Sequence, residues 1–164
     1  MFFRDLLTKP PPRLPDRLTL ALLFLISAVG FADAVYLTAK FYAGVVPPCS
    51  LVEGCETVTT SQYATILGVP VSLLGVLFYF TLIIFLIAYF DGRRVFFLKA
   101  ATVLAAAGFA FSLWLLFVQL FIIGAVCLYC LGSFVTATLF FSLSAAVVGW
   151  GRYDRIKGRM EDGC

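Results

Sequence analysis

The sequence predicts an all-α integral membrane protein, a bundle of four transmembrane helices with an outer loop and half-helix as its lid. Three observations predict it. The 164 residues are 62% hydrophobic and 13% charged, with mean hydropathy +1.03, whereas soluble domains run at about 45–50% apolar and about 25% charged. Four runs, at 18–41, 68–90, 95–123 and 126–150, each reach the ~20 apolar residues that span a bilayer. Eleven of the twelve Lys and Arg residues fall on one side of a four-helix arrangement, and only Lys40 falls on the other.

Runs this long, without alternating polarity, must satisfy their backbone as helices and not as barrel strands. The basic clusters are Arg4, Lys9, Arg13 and Arg17 before the first run, Arg93, Arg94 and Lys99 around the second turn, and Arg152, Arg155, Lys157 and Arg159 after the last. The positive-inside rule then places both termini in the cytoplasm and the 42–67 loop outside. In a bacterium the protein would be multi-pass in the inner (plasma) membrane. The net charge of +3 follows from this bias and calls for no nucleic-acid partner. The expected organisation is a cytoplasmic segment 1–17, a transmembrane domain 18–150 containing the outer loop 42–67, and a cytoplasmic tail 151–164.

The first run carries Gly30, Asp33 and Tyr36. A carboxylate inside a span is a functional candidate by default; the alternative is that Asp33 bonds Tyr36 one turn on or lies near the interface. Ala32-Asp33-Ala34 also resembles a signal-peptidase site, but apolar character resumes after Asp33, and the Pro-rich lead-in fits a retained segment better. Pro47-Pro48 ends the first helix. Residues 56–64 read as a short amphipathic helix with Thr57 as a possible cap. Pro70 is expected in the first turn of the second span. Gly75 and Ala105–Gly108 offer close helix contacts, and Gly124 breaks the third run just before Cys127.

Four of the five cysteines carry the chemistry. Cys49 and Cys55 flank Gly54 in the outer loop, where a short disulfide is feasible. Cys127 and Cys130 stand three apart at the start of the fourth helix, where the N-terminal dipole stabilises a thiolate. By the charge rule both pairs face the same, oxidising side. Packing cysteines are one alternative. Metal binding by thiolates is another, giving a thiolate metal-handling membrane protein, but 71 residues separate the pairs and the chain has no His, unlike a compact zinc knuckle. Thiol–disulfide exchange needs no imidazole. A lipid-soluble quinone is the natural two-electron sink within a bilayer. Cys164, on the opposite side, reads as incidental.

Cys49-x5-Cys55, Ser61 six residues on, Gly68-Val-Pro-Val-Ser-Leu-Leu-Gly75 and Cys127-x-x-Cys130, in this order among four spans, resemble the vitamin K epoxide reductase family. Gly30-x-x-Asp33-x-x-Tyr36-Leu37 is similar to its bacterial members. The resemblance covers about residues 18–150. It implies a four-helix bundle around a quinone of the ubiquinone, menaquinone or vitamin K type. Cys49 and Cys55 would be the shuttle pair and Cys127 and Cys130 the active-site pair, with Cys130 beside the ring. Ser61, Tyr63, Val71, Leu74, Phe78 and Phe134 would line the cofactor site.

The resemblance further implies a quinone-dependent disulfide oxidoreductase, supporting disulfide formation in an extracytoplasmic thioredoxin-like (DsbA-like) partner. The protein would act as a monomer without a fused thioredoxin-like domain. Val71 and Phe134 stand where vertebrate members have Asn and Tyr, which favours plain quinone reduction over epoxide reduction.

Overall fold

The computed structural model describes residues 15–46, 55–66, 68–92 and 94–161, with side chains as far as 149. Cys49 and Cys164, and the basic residues before 15, lie outside that set. Helix α1 is Arg17–Tyr42; α2 is the short Cys55–Thr59, followed by a 3-10 turn at Gln62–Ala64. Strands β1 (Thr65–Ile66) and β2 (Val69–Pro70) pair antiparallel through Gly68, whose φ is 81°. Helix α3 is Val71–Gly92, and α4 is Val95–Phe117, which continues as a π turn over Val118–Ile123. Helix α5 is Leu128–Glu161. Four of these helices are long and apolar enough to cross a membrane: the protein is a multi-pass membrane protein, as the sequence predicts.

The long helices pack as a ring, α1 on α3, α3 on α4, α4 on α5 and α5 on α1. Over its membrane-crossing stretch each is apolar all round, the pattern of a helix in lipid. On α3, Tyr79, Leu82, Leu86 and Tyr89 face the core, while Leu77, Phe80, Ile84 and Ile87 are exposed on the opposite face. The core is completed by Leu23 and Ala34 from α1, Leu98, Ala101 and Ala105 from α4, and Phe140 from α5.

Small residues set the helix spacing. A Cβ on Gly30 would overlap the Tyr79 ring, and one on Gly75 would stand 3.3 Å from the Ala34 Cβ. The Tyr79 hydroxyl crosses to α5, donating to the Ser133 carbonyl at 3.0 Å and bonding Thr136 Oγ1 at 2.7 Å. Phe109 of α4 stacks on Phe134 and Phe141 of α5, with centroids 6.1 and 5.5 Å apart. Buried hydroxyls return to their own helix, as Ser27 Oγ does to the Leu23 carbonyl at 2.7 Å, because lipid offers no partner.

Three local expectations are corrected. The single amphipathic helix at 56–64 is two pieces broken at Ser61, and Thr57 lies inside α2 instead of capping it. Thr59, Thr60 and Ser61 turn their hydroxyls onto the carbonyls of Cys55, Glu56 and Val58 at 2.7–2.8 Å. Such local bonds compete with helix continuation. Pro70 ends β2, and α3 starts at Val71, so the proline precedes the helix instead of sitting in its first turn. Tyr36 does not serve Asp33; it packs on Tyr129, ring centroids 5.4 Å apart.

Candidate active site

The fourth helix begins in a way that places Cys127 and Cys130 differently. After the π turn, Gly124 adopts φ 68°, the left-handed conformation that glycine takes without strain. The chain turns back there, with the Ala125 N–H donating to the Gln119 carbonyl at 3.2 Å. The Cys127 N–H donates to Gln119 Oε1 at 3.0 Å. The Cys127 carbonyl accepts from Leu131 N–H at 3.0 Å, so Cys127 is the residue from which α5 starts.

Cys127 and Cys130 are free thiols. The Cys130 thiol, bonded to Cys127, holds the Cys127 pKa down at about 7. Burial works against this, while the N–H groups of Cys130 and Tyr129 at the helix N-terminus reinforce it.

The second pair reaches this place through its inner member. Cys55 is disulfide-bonded, and since Cys127 and Cys130 are free, neither is its partner. Cys55, Val58 and Cys127 form one buried cluster, with Ile123, Ala125, Tyr129 and Cys130 packed against it. Cys55 and Cys127 are 1% and 0% exposed, so both are withdrawn from solvent within that cluster. Helix α2 also touches the π turn directly. The loop that carries Cys55 thus sits on the N-terminus of α5.

Below the cap lies a cavity of about 810 Å³. Its walls are the C-terminal third of α1, residues 58–65, the first half of α3, the later turns of α4 and the first turns of α5. The lining is mostly apolar, with polar groups that include Asp33, Lys40, Ser61, Tyr79, Gln119 and Ser133. Such a cavity has the size and character of a small-molecule site. Cys130 lines it; Cys127 does not.

Of the residues expected to line a cofactor site, Ser61, Tyr63, Val71, Leu74 and Phe78 all border the cavity. Phe134 does not, because its ring is turned toward α4 and stacks on Phe109. Cys130 and Ser133 share one face of α5, and Phe134 falls on its flank. Gln119 shows in the sequence only as a polar residue near a helix end; its bond to the Cys127 backbone depends on the π turn. Among the described residues, no group of three or more His, Cys, Asp or Glu could hold a metal ion.

Fold and site together define a polytopic membrane protein in which a thiol pair, joined by packing to a disulfide-bonded cysteine, opens on an apolar cavity. That is the layout of a membrane redox protein. The chain matches the family model of the vitamin K epoxide reductase family over residues 21–145 and belongs to that family. It is accordingly a membrane oxidoreductase. No curated protein matches the chain.

Proposed function

We propose that the protein passes electrons from the thiols of an extracytoplasmic thioredoxin-like protein through Cys49 and Cys55, then Cys127 and Cys130, to a quinone. The observation that carries this reading is the buried cluster of Cys55 with Cys127 beside a cavity that Cys130 lines. Cys49 is taken as the partner of the disulfide-bonded Cys55.

A thiolate of the partner attacks Cys49, and the Cys49–Cys55 bond breaks. The freed Cys55 thiolate attacks Cys127 in the oxidised inner pair, releasing Cys130. Resolution of each mixed disulfide leaves the partner oxidised, the outer pair re-formed and the inner pair reduced. A disulfide at Cys55 with free thiols at Cys127 and Cys130 is the state reached after this exchange. Attack runs through thiolates, and Cys127, held down at about 7, is a good leaving thiolate when Cys49 attacks Cys55 and resolves the Cys55–Cys127 mixed disulfide.

The cavity residues fit a quinone. Val71, Leu74, Phe78 and Phe111 offer apolar and aromatic walls to a flat ring. When bound, the quinone supplies a two-electron, two-proton acceptor. Cys130, as the cavity-lining thiol, is the residue from which electrons leave, and its bond to Cys127 re-forms. The cap of residues 58–65 covers one side of the cavity, and Val58 links that cover to the cysteine cluster. Val71 and Phe134 offer no hydroxyl or amide to an epoxide head group, so simple quinone reduction is the reaction favoured. The basic residues put both termini in the cytoplasm and the cysteine cluster outside, in the plasma membrane of a bacterium.

Substitution of each cysteine tests the scheme. Cys49→Ala, Cys55→Ala, Cys127→Ala and Cys130→Ala should each abolish turnover with a reduced thioredoxin-like substrate and decylubiquinone. Cys164→Ala should leave it unchanged. Full quinone reduction by Cys130→Ala would overturn the route.

A further inference from the structure

Resting on the quinone reading, we propose that Asp33 exchanges a proton with the quinone oxygen as the Cys127–Cys130 pair gives up its electrons. Asp33 lines the same cavity as Cys130. Its Oδ2 is buried and has no hydrogen-bond partner among the described residues. A buried carboxyl oxygen left without a partner is costly. The protein's own candidates are committed elsewhere. Tyr36, one turn on, is engaged with Tyr129, and the Tyr79 hydroxyl is taken by Ser133 and Thr136. The missing partner therefore comes from the cavity, as a ligand oxygen that shares a proton with the carboxyl group.

The electron and proton balance calls for such a group. Oxidation of the dithiol breaks two S–H bonds and forms one S–S bond, while the quinone gains two electrons and two O–H bonds. The thiol protons thus have to reach the ligand oxygens. Asp33 donates its carboxyl proton to one quinone oxygen and recovers one of the two thiol protons, ending as it began, while the other thiol proton passes to the second quinone oxygen. The chain has no His to do this. Tyr79 of α3 and Cys130 at the start of α5 border the same cavity as Asp33. Lys40 on its own helix and Tyr63 of the cap also border the cavity, and these are the titratable groups around it. Lys40 lies two turns away, its Nζ 5.6 Å from the Tyr36 ring centroid, and Tyr63 belongs to the 3-10 turn of the lid segment.

The test uses the full chain in lipid nanodiscs with decylubiquinone. Asp33→Asn should keep decylubiquinone affinity, lose roughly 100-fold in the rate at which the reduced protein transfers electrons, and flatten the pH profile of that rate. A carboxyl band that shifts in the infrared difference between decylubiquinone-bound and decylubiquinol-bound protein should vanish in Asp33→Asn. Asp33→Glu should restore part of the rate, with a displaced pH profile. Equal rates and an unchanged carboxyl band in Asp33→Asn overturn the assignment alone. Failure of the unmodified protein to reduce decylubiquinone overturns the quinone reading and this assignment with it. Should Asp33→Asn not fold, Asp33→Glu decides: a displaced profile and band support the assignment, and wild-type values of both overturn it.

Discussion

Three donors converge on the Cys127 sulfur: the Cys130 thiol and the N–H groups of Tyr129 and Cys130. The first is the strongest and gives the site its pH behaviour. The folded value of about 7 lies below the ordinary 9.0. Between those two pH values the unfolded reduced chain binds more protons than the folded one, so stability rises with pH across that window. This contribution is complete above the ordinary value and is lost as pH falls through about 7. Titration of the reduced protein by thiolate ultraviolet absorbance should therefore show a midpoint near 7. In Cys130→Ala the midpoint should move up, because the leading donor is gone. An unmoved midpoint would assign the whole effect to the helix N-terminus.

At the scale of elements, the π turn at Val118–Ile123 and the left-handed Gly124 are the device that aims the active-site helix. A π turn inserts an extra residue into the helical repeat and is frequent at functional sites. Here it brings Gln119 back against Cys127, where Oε1 accepts a buried N–H at 3.0 Å. Gln119→Leu removes that acceptor, at a cost of about 1–3 kcal/mol for an unsatisfied buried donor. The expected result is a lower thermal midpoint and slower electron transfer from Cys55 to Cys127. Gln119→Glu keeps an acceptor oxygen and should recover more of the transfer rate than the leucine variant. A Gln119→Leu protein with the parent midpoint would show that the bond contributes nothing to stability. The broken lid helix belongs to this scale too: Thr59, Thr60 and Ser61 end α2 through their own hydroxyls, and the chain is then free to cross the cavity mouth.

The whole molecule is a ring of four helices whose outer surface is as apolar as its core. Burial in such a bundle draws little on the hydrophobic effect, since lipid is as apolar as the interior, and close packing takes over. Gly30 against Tyr79, Gly75 against Ala34 and Gly108 against Phe78 bring α3 close to α1 and α4. Its cavity lies toward the end that carries residues 58–65 and Cys130. The orientation proposed from charge is read out by single-cysteine variants. Val45→Cys, at the cap end, should react with a membrane-impermeant maleimide in intact cells. Asp91→Cys, at the far end of α3, should react only after permeabilisation. The reverse pattern would invert the orientation and place the cysteine cluster in the cytoplasm.

Helix number and approximate span limits follow from hydropathy and length alone, because a bilayer imposes one thickness on every crossing segment. The spacing of Cys127 and Cys130 at a helix start was likewise visible, and Ser61, Tyr63, Val71, Leu74 and Phe78, singled out by family resemblance, border the cavity. Which side of each helix faces the core was not. Leu77, Phe80, Ile84 and Ile87 carry the same hydropathic message as Tyr79, Leu82, Leu86 and Tyr89, yet one set meets lipid and the other the bundle. Only the packing of neighbouring helices separates them.

The same packing turned Phe134 onto Phe109 and away from the cavity, and left Asp33 Oδ2 without a partner inside it. The sequence by itself determined a four-span membrane protein with two thiol pairs. The tertiary structure decided that Cys55 meets Cys127, that Cys130 alone of the described thiols faces the cavity, and that Gln119 holds the turn between them. Those facts rest on contacts between elements far apart in the chain, and no local pattern encodes them.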